Sequence, residues 1–184
     1  MQHQHKYLHR FMETNRLFFS EWLETDFAMA LKLWGNPNVT RYISATSILS
    51  KDNIKDRLQL EISNGEKHAI QYWPVFLKSD GAFVGCCGLR PYDSERGILE
   101  IGFHICEHYW GNGYAKEAAL KVISYPFSVL SANALFAGHH PENTNSKHLL
   151  QRLGFQYTHK ELYPPTELYH PSYLLTLHAF NDSK

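Results

Sequence analysis

The sequence contains few of the features that mark secreted, membrane-bound or nucleic-acid-binding proteins. It has three cysteines in 184 residues. Cys86, Cys87 and Cys106 are an odd set without zinc-type spacing, which argues against a disulfide framework and favours a reducing compartment. Lysine plus arginine (18) equals aspartate plus glutamate (18), so no excess of positive charge attracts phosphate backbones or anionic membranes. We therefore expect no nucleic-acid partner.

Long apolar runs are also lacking. Each apolar stretch is interrupted by proline, serine or a charged residue well short of the ~18 residues that a membrane span needs. The first ten residues, Met1–Arg10, are polar and lack the apolar core of a secretory signal. We expect no membrane partner and a cytoplasmic location.

The composition that remains is that of an ordinary folded domain. Hydrophobic residues make up 43% and charged residues 20%, and the length fits one domain with a sizeable core. Residues 1–12 show no periodic pattern, so we predict a flexible arm there and one domain over residues 13–184. Both a monomer and a homodimer are compatible with the sequence.

Hydrophobic periodicity predicts an α+β domain with one mixed, mostly antiparallel central sheet. Pro74 predicts an edge position for the second strand. The predicted helices, four in all, are those over residues 26–34, 50–63, 113–125 and 145–153. The predicted strands, about seven, are those over residues 16–22, 72–77, 83–89, 98–105, 134–138, 155–162 and 173–180.

The segment most informative about chemistry runs from the strand that contains Glu100 into the helix after Gly113. Between them lies the turn Trp110-Gly-Asn-Gly113. Unpaired N–H groups and the positive end of the helix dipole face such a turn, and both favour a bound anion such as a pyrophosphate. Gly111 and Gly113 let the backbone approach the ligand closely.

This turn on its own has other interpretations. A tight strand-to-helix turn without a ligand has the same pattern. A dinucleotide-binding oxidoreductase requires a third glycine at the helix start, and Lys116 occupies that position. A nucleotide-binding oxidoreductase nevertheless stays a rival, and stabilisation by NAD would distinguish it.

Two motifs together resemble the GCN5-related N-acetyltransferase (GNAT) superfamily, in particular the branch that acetylates ribosomal-protein N-termini. The first is Trp110-Gly-Asn-Gly-Tyr-Ala115, with tryptophan where many members have glutamine or arginine. The second is Asn143-x-x-Ser146 followed by Gly154-Phe155. The resemblance covers about residues 13–180.

The resemblance implies a sheet that splays between its fourth and fifth strands and acetyl-CoA as the co-substrate. Pantetheine would add like a strand to the main chain of the fourth strand. The alternative for Asn143 and Ser146 is that they only begin a helix. The implied coenzyme-binding residues are Phe103, His104, Ile105, Trp110, Gly111, Asn112, Gly113, Tyr114, Ala115, Lys116, Asn143 and Ser146.

The implied reaction moves an acetyl group to a primary amine, which must lose a proton before or during attack. Glu100 is the first candidate base, provided that burial raises its pKa. The alternatives are that it is a structural residue, or that His104, His139 or His140 is the base. Many members carry a tyrosine where this chain has Leu150, so Ser146 becomes the candidate to protonate or hydrogen-bond the departing sulfur.

The acceptor is the least determined feature. We expect contacts from Arg41 and Tyr42 and, in a loop over the cleft, from Tyr163 and Tyr169. A protein N-terminus is the first hypothesis, and a small-molecule amine or an aminoglycoside-like compound remains open.

Two chemical alternatives are less favoured. A ping-pong route through a cysteine lacks an activating base at a recognisable spacing, and no zinc-type ligand set suggests a metal. The main alternative function is a non-catalytic acyl-CoA-binding sensor.

Overall fold

The computed structural model describes residues 10–45 and 48–182. They form one eight-stranded sheet in the order β1-β2-β3-β4-β5-β6-β8-β7. The strands are β1 Met12–Glu13, β2 Leu17–Phe19, β3 Tyr72–Leu77, β4 Phe83–Asp93, β5 Ile98–Ile105, β6 Ala134–Gly138, β7 Gln156–Tyr163 and β8 Leu168–Thr176. The α-helices are α1 Phe27–Trp34, α2 Pro37–Thr40, α3 Lys51–His68, α4 Tyr114–Ser128, α5 Thr144–Arg152 and α6 Leu177–Asp182.

The sheet is antiparallel at every strand pair except one, so the predicted class is confirmed. Only β5 and β6 run parallel. Of the arm predicted over residues 1–12, residues 1–9 lie outside the described residues. Met12 pairs with Phe19 in β2 and is 7% exposed, so the sheet begins earlier than the domain boundary predicted from the sequence.

The parallel pair diverges halfway along its length. Ladder partners run from Ile98 opposite Ala134 to Glu100 opposite Phe136 and then stop. Beyond that point β5 continues to Ile105 beside β4, while β6 continues to Gly138 beside β8. A gap therefore opens between the carboxyl-terminal halves of the two strands, as the family resemblance implied.

Helices cover the two faces of the sheet and bury two apolar layers. On one face α4 contributes Ala118, Ala119 and Val122, which recur at helical spacing and are fully buried. On the other, Leu33 and Trp34 of α1 pack with residues of α3. Each buried leucine-sized side chain contributes roughly 1.5–3 kcal/mol. None of the helices within residues 10–45 and 48–182 is long and apolar enough to cross a membrane.

The helices differ from the prediction in number and in two end points. Within the described residues six α-helices are present rather than about four, because α2 and α6 were not predicted. The Oγ of Ser50 caps α3 as predicted, accepting from the N–H of Asn53 at 3.1 Å. However, α3 continues to His68, and Ala69 forms its left-handed cap at φ 55°. Helix α4 likewise continues past Pro126, which lies in its last turn.

Two strand predictions were wrong. Pro74 does not lie on an edge strand, because β3 runs between β2 and β4. It is tolerated because β2 ends opposite Val75: just past that end the Pro74 carbonyl still accepts from the N–H of Ser20 at 3.1 Å, and only the reciprocal bond that needs a proline N–H is missing. At the tail, β8 ends at Thr176 and the chain continues as α6, so the first half of the strand predicted over residues 173–180 is strand and the second half is helix. The predicted proline-rich loop is instead a short turn between β7 and β8.

Candidate active site

The turn after β5 is tied to the end of that strand by its own side chains. The indole N–H of Trp110 donates to the carbonyl of Ile105 at 2.7 Å. The Asn112 amide donates to the carbonyls of Tyr109 and Trp110, each at 3.1 Å. Trp110 and Asn112, both predicted to bind coenzyme, therefore also fix the shape of the turn.

The mouth of α4 is open to a ligand. Gly111 and Gly113 have φ of 77° and 78°, values that favour glycine. A Cβ at Gly111 would meet no atom within 4 Å, and one at Gly113 would meet only Nη2 of Arg16 at 3.7 Å. No side chain caps the helix at Gly113. The first-turn amides and the helix dipole can therefore receive an anion.

Arg16 lies beside this turn and was missed by the sequence analysis. Its Nη2 donates to the carbonyl of Asn112 at 3.1 Å, and its guanidinium lies 4.5 Å from the ring centre of Tyr114. Its Nε is 2.6 Å from Glu117. Burial alone would raise the pKa of Glu117, but hydrogen bonds from Thr14 and Arg16 lower it. No local pattern connects Arg16 with a turn so distant in sequence.

An open groove of about 730 Å³ continues from Arg16 along the outer side of α4. Lys116, predicted to bind coenzyme, is exposed there, and Ala115 is half-buried beneath the turn. The groove is lined by Thr14, Asn15, Arg16, Gly113, Lys116, Glu117, Leu120, Lys121 and Ser124.

The gap between β5 and β6 exposes the strand edge expected to hold pantetheine. Phe103 and His104 lie beyond the last residue of β5 that pairs with β6. The carbonyl of Ile105 already accepts from Trp110. The Cys106 N–H donates to Val84 at 2.8 Å, and main-chain groups alternate between the two edges of a strand, so those of His104 face β4 and those of Phe103 and Ile105 face the gap. His104 is therefore not placed to bind pantetheine through its main chain.

Asn143 and Ser146 lie at the start of α5. The Asn143 side chain accepts from the N–H of Ser146 at 3.0 Å, as an N-cap does. Within the described part of the chain, the Asn143 amide N–H₂ and the Ser146 hydroxyl make no hydrogen bond, and both residues are half-buried. A role in starting the helix therefore accounts for Oδ1 of Asn143. It leaves the Asn143 N–H₂ and the Ser146 hydroxyl available to a ligand. Leu150, in contrast, is 1% exposed in the core.

Glu100 lies at the last β5 position that pairs with β6, so its carboxylate is at the start of the gap. The Tyr72 hydroxyl donates to it at 3.0 Å. Burial raises the pKa of Glu100, while the charge of Arg90 and the Tyr72 hydrogen bond oppose that rise. The Tyr72 ring reaches this position because Gly102 has no side chain: a Cβ there would lie 2.3 Å from the ring.

A buried network that the sequence analysis did not predict supports the Tyr72 ring. The guanidinium of Arg90 lies 4.2 Å from the ring centre and is ion-paired with Glu61. Glu61 is fully buried and accepts from the N–H of Tyr72 at 2.7 Å. The orientation of Glu100 therefore depends on residues of α3, β3 and β4 that are distant in sequence.

The three histidines proposed as alternative bases already use their lone pairs. Nδ1 of His104 accepts from the Trp34 indole at 3.1 Å, and burial lowers its pKa well below the usual range. His139 lies between the carbonyl of His140 and the hydroxyl of Tyr173, and burial lowers its pKa too. Nδ1 of His140 accepts from a main-chain N–H at 3.2 Å. Glu100 is thus the better placed base.

The cysteines are poor nucleophiles in this fold. Burial raises the pKa of all three thiols, that of Cys106 to about 11. They are free and buried. A thiolate is the reactive form, so a ping-pong route through these side chains is unfavourable. Among the described residues, no three acidic, histidine or cysteine side chains are grouped to hold a metal.

Residues predicted to contact the acceptor are joined by two histidine rings. The guanidinium of Arg41 lies 4.6 Å from the ring of Tyr42, and that ring is 5.0 Å from His140. His140 is 5.5 Å from His170, which is 4.7 Å from the ring of Tyr163. We call these five residues the aromatic wall. His170 was not predicted, because it lies within the expected loop rather than in a strand.

Tyr169 does not join this wall. It pairs with Leu162 across β7 and β8, next to His170 in sequence and hence on the opposite face. Its side chain is 63% exposed. The structure therefore brings together three of the four predicted acceptor residues.

Comparisons with known proteins agree with this geometry. The family model of the acetyltransferase (GNAT) domain matches residues 16–156. The uncharacterized N-acetyltransferase p20 of Bacillus licheniformis is 32% identical over 143 residues, which cover 78% of this chain and 80% of that protein. The N-acetyltransferase YoaA of Bacillus subtilis is 29% identical over 146 residues, covering 79% and 82%.

Solved structures share the fold. An acetyltransferase of the GNAT family from Bacillus anthracis matches with a TM-score of 0.77 at 21% identity, over 91% of this chain and 99% of that chain. The ribosomal-protein α-N-acetyltransferase RimL in complex with coenzyme A matches with a TM-score of 0.76 at 12% identity, over 90% and 97%. Together with the open helix mouth and the diverging strands, the sequence matches place this chain in the GNAT family of acetyltransferases.

Proposed function

We propose that the protein transfers an acetyl group from acetyl-CoA to a primary amine by direct attack, with Glu100 as the general base. The observation that carries this proposal is the position of Glu100. Its partly buried carboxylate lies where β5 and β6 separate, and burial raises its pKa. A base with a raised pKa can accept a proton near neutral pH, where a free amine is mostly protonated.

Three features of the chain support acetyl-CoA as the donor. The uncapped first turn of α4 offers main-chain N–H groups to a pyrophosphate, with Arg16 beside it. The free strand edge at Phe103 and Ile105 offers main-chain groups to the amides of pantetheine. The free amide N–H₂ of Asn143 is a further donor for the same arm.

The transfer proceeds by addition and elimination at the thioester carbonyl. Glu100 takes one proton from the ammonium, directly or through a water, and the neutral amine nitrogen attacks the carbonyl carbon. A C–N bond forms, the C–S bond breaks, and the sulfur leaves with the electron pair. The Ser146 hydroxyl donates a hydrogen bond to that sulfur, and the second amine proton passes to solvent. Holding both reactants together lowers the activation free energy by several kcal/mol more.

The experiment is a thiol-release screen with acetyl-CoA and a panel of peptides, polyamines, amino acids and aminoglycosides, followed by mass spectrometry of the product. We expect release of CoA thiol with at least one amine and a product heavier by one acetyl group. Binding of acetyl-CoA without release of CoA thiol for any acceptor would instead support a non-catalytic sensor. Leu150, which stands where many family members carry a tyrosine, is consistent with that outcome. No binding at saturating coenzyme would overturn the proposal.

A further inference from the structure

The acceptor side of the site contains a positive charge without a partner. Arg57, on α3, is half-buried, and its guanidinium lies 5.5 Å from the ring of Trp34. Across residues 10–45 and 48–182, its side chain makes no hydrogen bond and no ion pair. A half-buried guanidinium without an ion pair has donor N–H groups that a carboxylate can accept from, in a setting where such a bond is stronger than in bulk water.

Arg57 lies on the same face of the sheet as the proposed base. It contacts the ring of Trp34, which donates to His104 at 3.1 Å, and His104 projects from β5 to the same face as Glu100. The charge of Arg57 acts on three groups of the site, opposing the rise in the pKa of Glu100 and Tyr163 and adding to the fall in that of His104. Those three groups lie on β5 and at the end of β7, on either side of the gap. A ligand within reach of Glu100 is therefore also within reach of the field of Arg57.

The nearby carboxylates are already engaged. Glu61 pairs with Arg90, and Glu100 accepts from Tyr72. Glu161 accepts from the hydroxyl of Tyr92 at 3.0 Å. In addition, the Nε of Arg90 is buried without a hydrogen-bond partner in the described chain. Arg57 and the Nε of Arg90 thus keep donor N–H groups that have no acceptor within the described chain.

We propose that the acceptor amine carries a carboxylate, and that Arg57 binds this carboxylate while the amine reaches Glu100. The proposal rests on the proposed acetyl transfer and specifies its substrate class. The planar guanidinium matches a carboxylate with two parallel hydrogen bonds. The aromatic wall, which includes Tyr163, would contact the apolar part of the same molecule. The carboxylate belongs either to a free amino acid or to an acidic residue near a peptide N-terminus.

The test compares matched acceptors with and without the carboxylate. The kcat/KM is measured for an amino acid and its amide, and for two peptides that differ by aspartate or asparagine at the second position. The variants are wild type, Arg57→Gln, Arg57→Lys, and Lys55→Gln as a control that removes a charge from an exposed position of the same helix. Because each acid-to-amide ratio is compared between variants, differences in the acceptor amine's pKa cancel.

We expect wild type to favour one acid over its matched amide, and Arg57→Gln to reduce that ratio by about 10- to 100-fold, the size of one charged hydrogen-bonded pair. Arg57→Lys should retain part of the preference and Lys55→Gln all of it. The acceptor pair whose acid-to-amide ratio falls in Arg57→Gln shows whether the carboxylate belongs to a free amino acid or to a peptide. An unchanged ratio in Arg57→Gln, with turnover and coenzyme binding intact, would overturn this inference alone. No turnover with any amine would overturn the proposed function instead.

Discussion

The two halves of the site are built from different parts of the chain. The coenzyme half is mostly main chain: a short turn with Gly111 and Gly113, the uncapped start of α4, and a free strand edge. The proposed acceptor half is mostly side chain, with Glu100, Arg57 and the aromatic wall brought from four elements (α3, β5, β7 and β8) and from the loops after α2 and β6. A site made of main-chain amides binds the same ligand whatever side chains surround it, whereas a site made of side chains is specific to one chain.

From this difference we expect substitutions to change acceptor specificity more readily than coenzyme binding. Substitution of a wall residue changes one contact and leaves the turn before α4 in place. Substitution in the turn changes the backbone itself, because positive φ is disfavoured for other residues. The predictions below separate the two halves experimentally.

The largest effect on chemistry should come from Glu100→Gln. The amide cannot accept a proton, so we expect kcat to fall by about 10²- to 10⁴-fold, while acetyl-CoA still binds because the coenzyme half is untouched. The measurement is steady-state thiol release combined with calorimetric titration of acetyl-CoA. Retention of wild-type kcat would show that another group, or the amine's own deprotonation in water, supplies the base.

A smaller loss is expected for Ser146→Ala. The hydroxyl makes no hydrogen bond within the described residues, so its removal leaves no partner unsatisfied and should not destabilise the fold. Loss of one hydrogen bond to the departing sulfur predicts a fall in kcat of about 10-fold. If KM for acetyl-CoA rises and kcat stays unchanged, Ser146 binds the ground state and the transition state equally and has no role in the departure of the sulfur.

Tyr72→Phe should shift the pH dependence more than the maximum rate. The hydroxyl of Tyr72 holds the pKa of Glu100 down, so its loss should raise that pKa and move the acid limb of kcat/KM to higher pH. At neutral pH the rate should fall by a few-fold and recover at higher pH. A pH–rate profile of wild type and Tyr72→Phe tests this expectation. An unshifted acid limb would show that Tyr72 does not set the pKa of Glu100.

The smallest effect concerns stability in acid. Burial lowers the pKa of His170 from 6.5 to about 4, so the unfolded chain binds this proton at higher pH than the folded one. His170 therefore contributes stability that is present above pH 6.5 and is lost as pH falls towards 4. The loss should be on the order of 2 kcal/mol.

Denaturant titrations at several pH values test that loss. His170→Gln should weaken the dependence of unfolding free energy on pH in this window, and the exposed His148→Gln should leave it unchanged. Equal pH dependence in His170→Gln and wild type would contradict a buried neutral imidazole.

The coenzyme half could be predicted from sequence because its signals are local. Trp110, Gly111 and Gly113 lie within four residues, and Asn143 and Ser146 within another four, so two short motifs that resemble those of the GNAT family indicate them as candidates. Local patterns likewise predict β5, β6 and the start of α3 at Ser50. Two predictions from proline were wrong because tertiary contacts override its local preference. Pro126 does not end its helix, and Pro74 lies in an interior strand, at the point where the neighbouring strand ends.

The acceptor half could be predicted only in part. Glu100 was identified by its place on the strand, but Tyr72, Arg90 and Arg57 carry no local pattern that marks a function. Their relation to Glu100 arises from strand pairing and from the packing of α3, which the one-dimensional pattern does not specify. Arg16 was missed for the same reason.

The most direct test of the central claim is the stabilisation of Gly113→Glu and Gly154→Glu by acetyl-CoA. Both glycines are exposed and have positive φ, 78° and 87°, so the two variants carry the same kind of backbone strain and charge. Only Gly113 lies at the mouth of α4. At about 100 times Kd, bound coenzyme stabilises a protein by about 2.7 kcal/mol. We predict that Gly154→Glu keeps the rise in Tm and Gly113→Glu loses it; an undiminished rise in Gly113→Glu would contradict a pyrophosphate site at this turn.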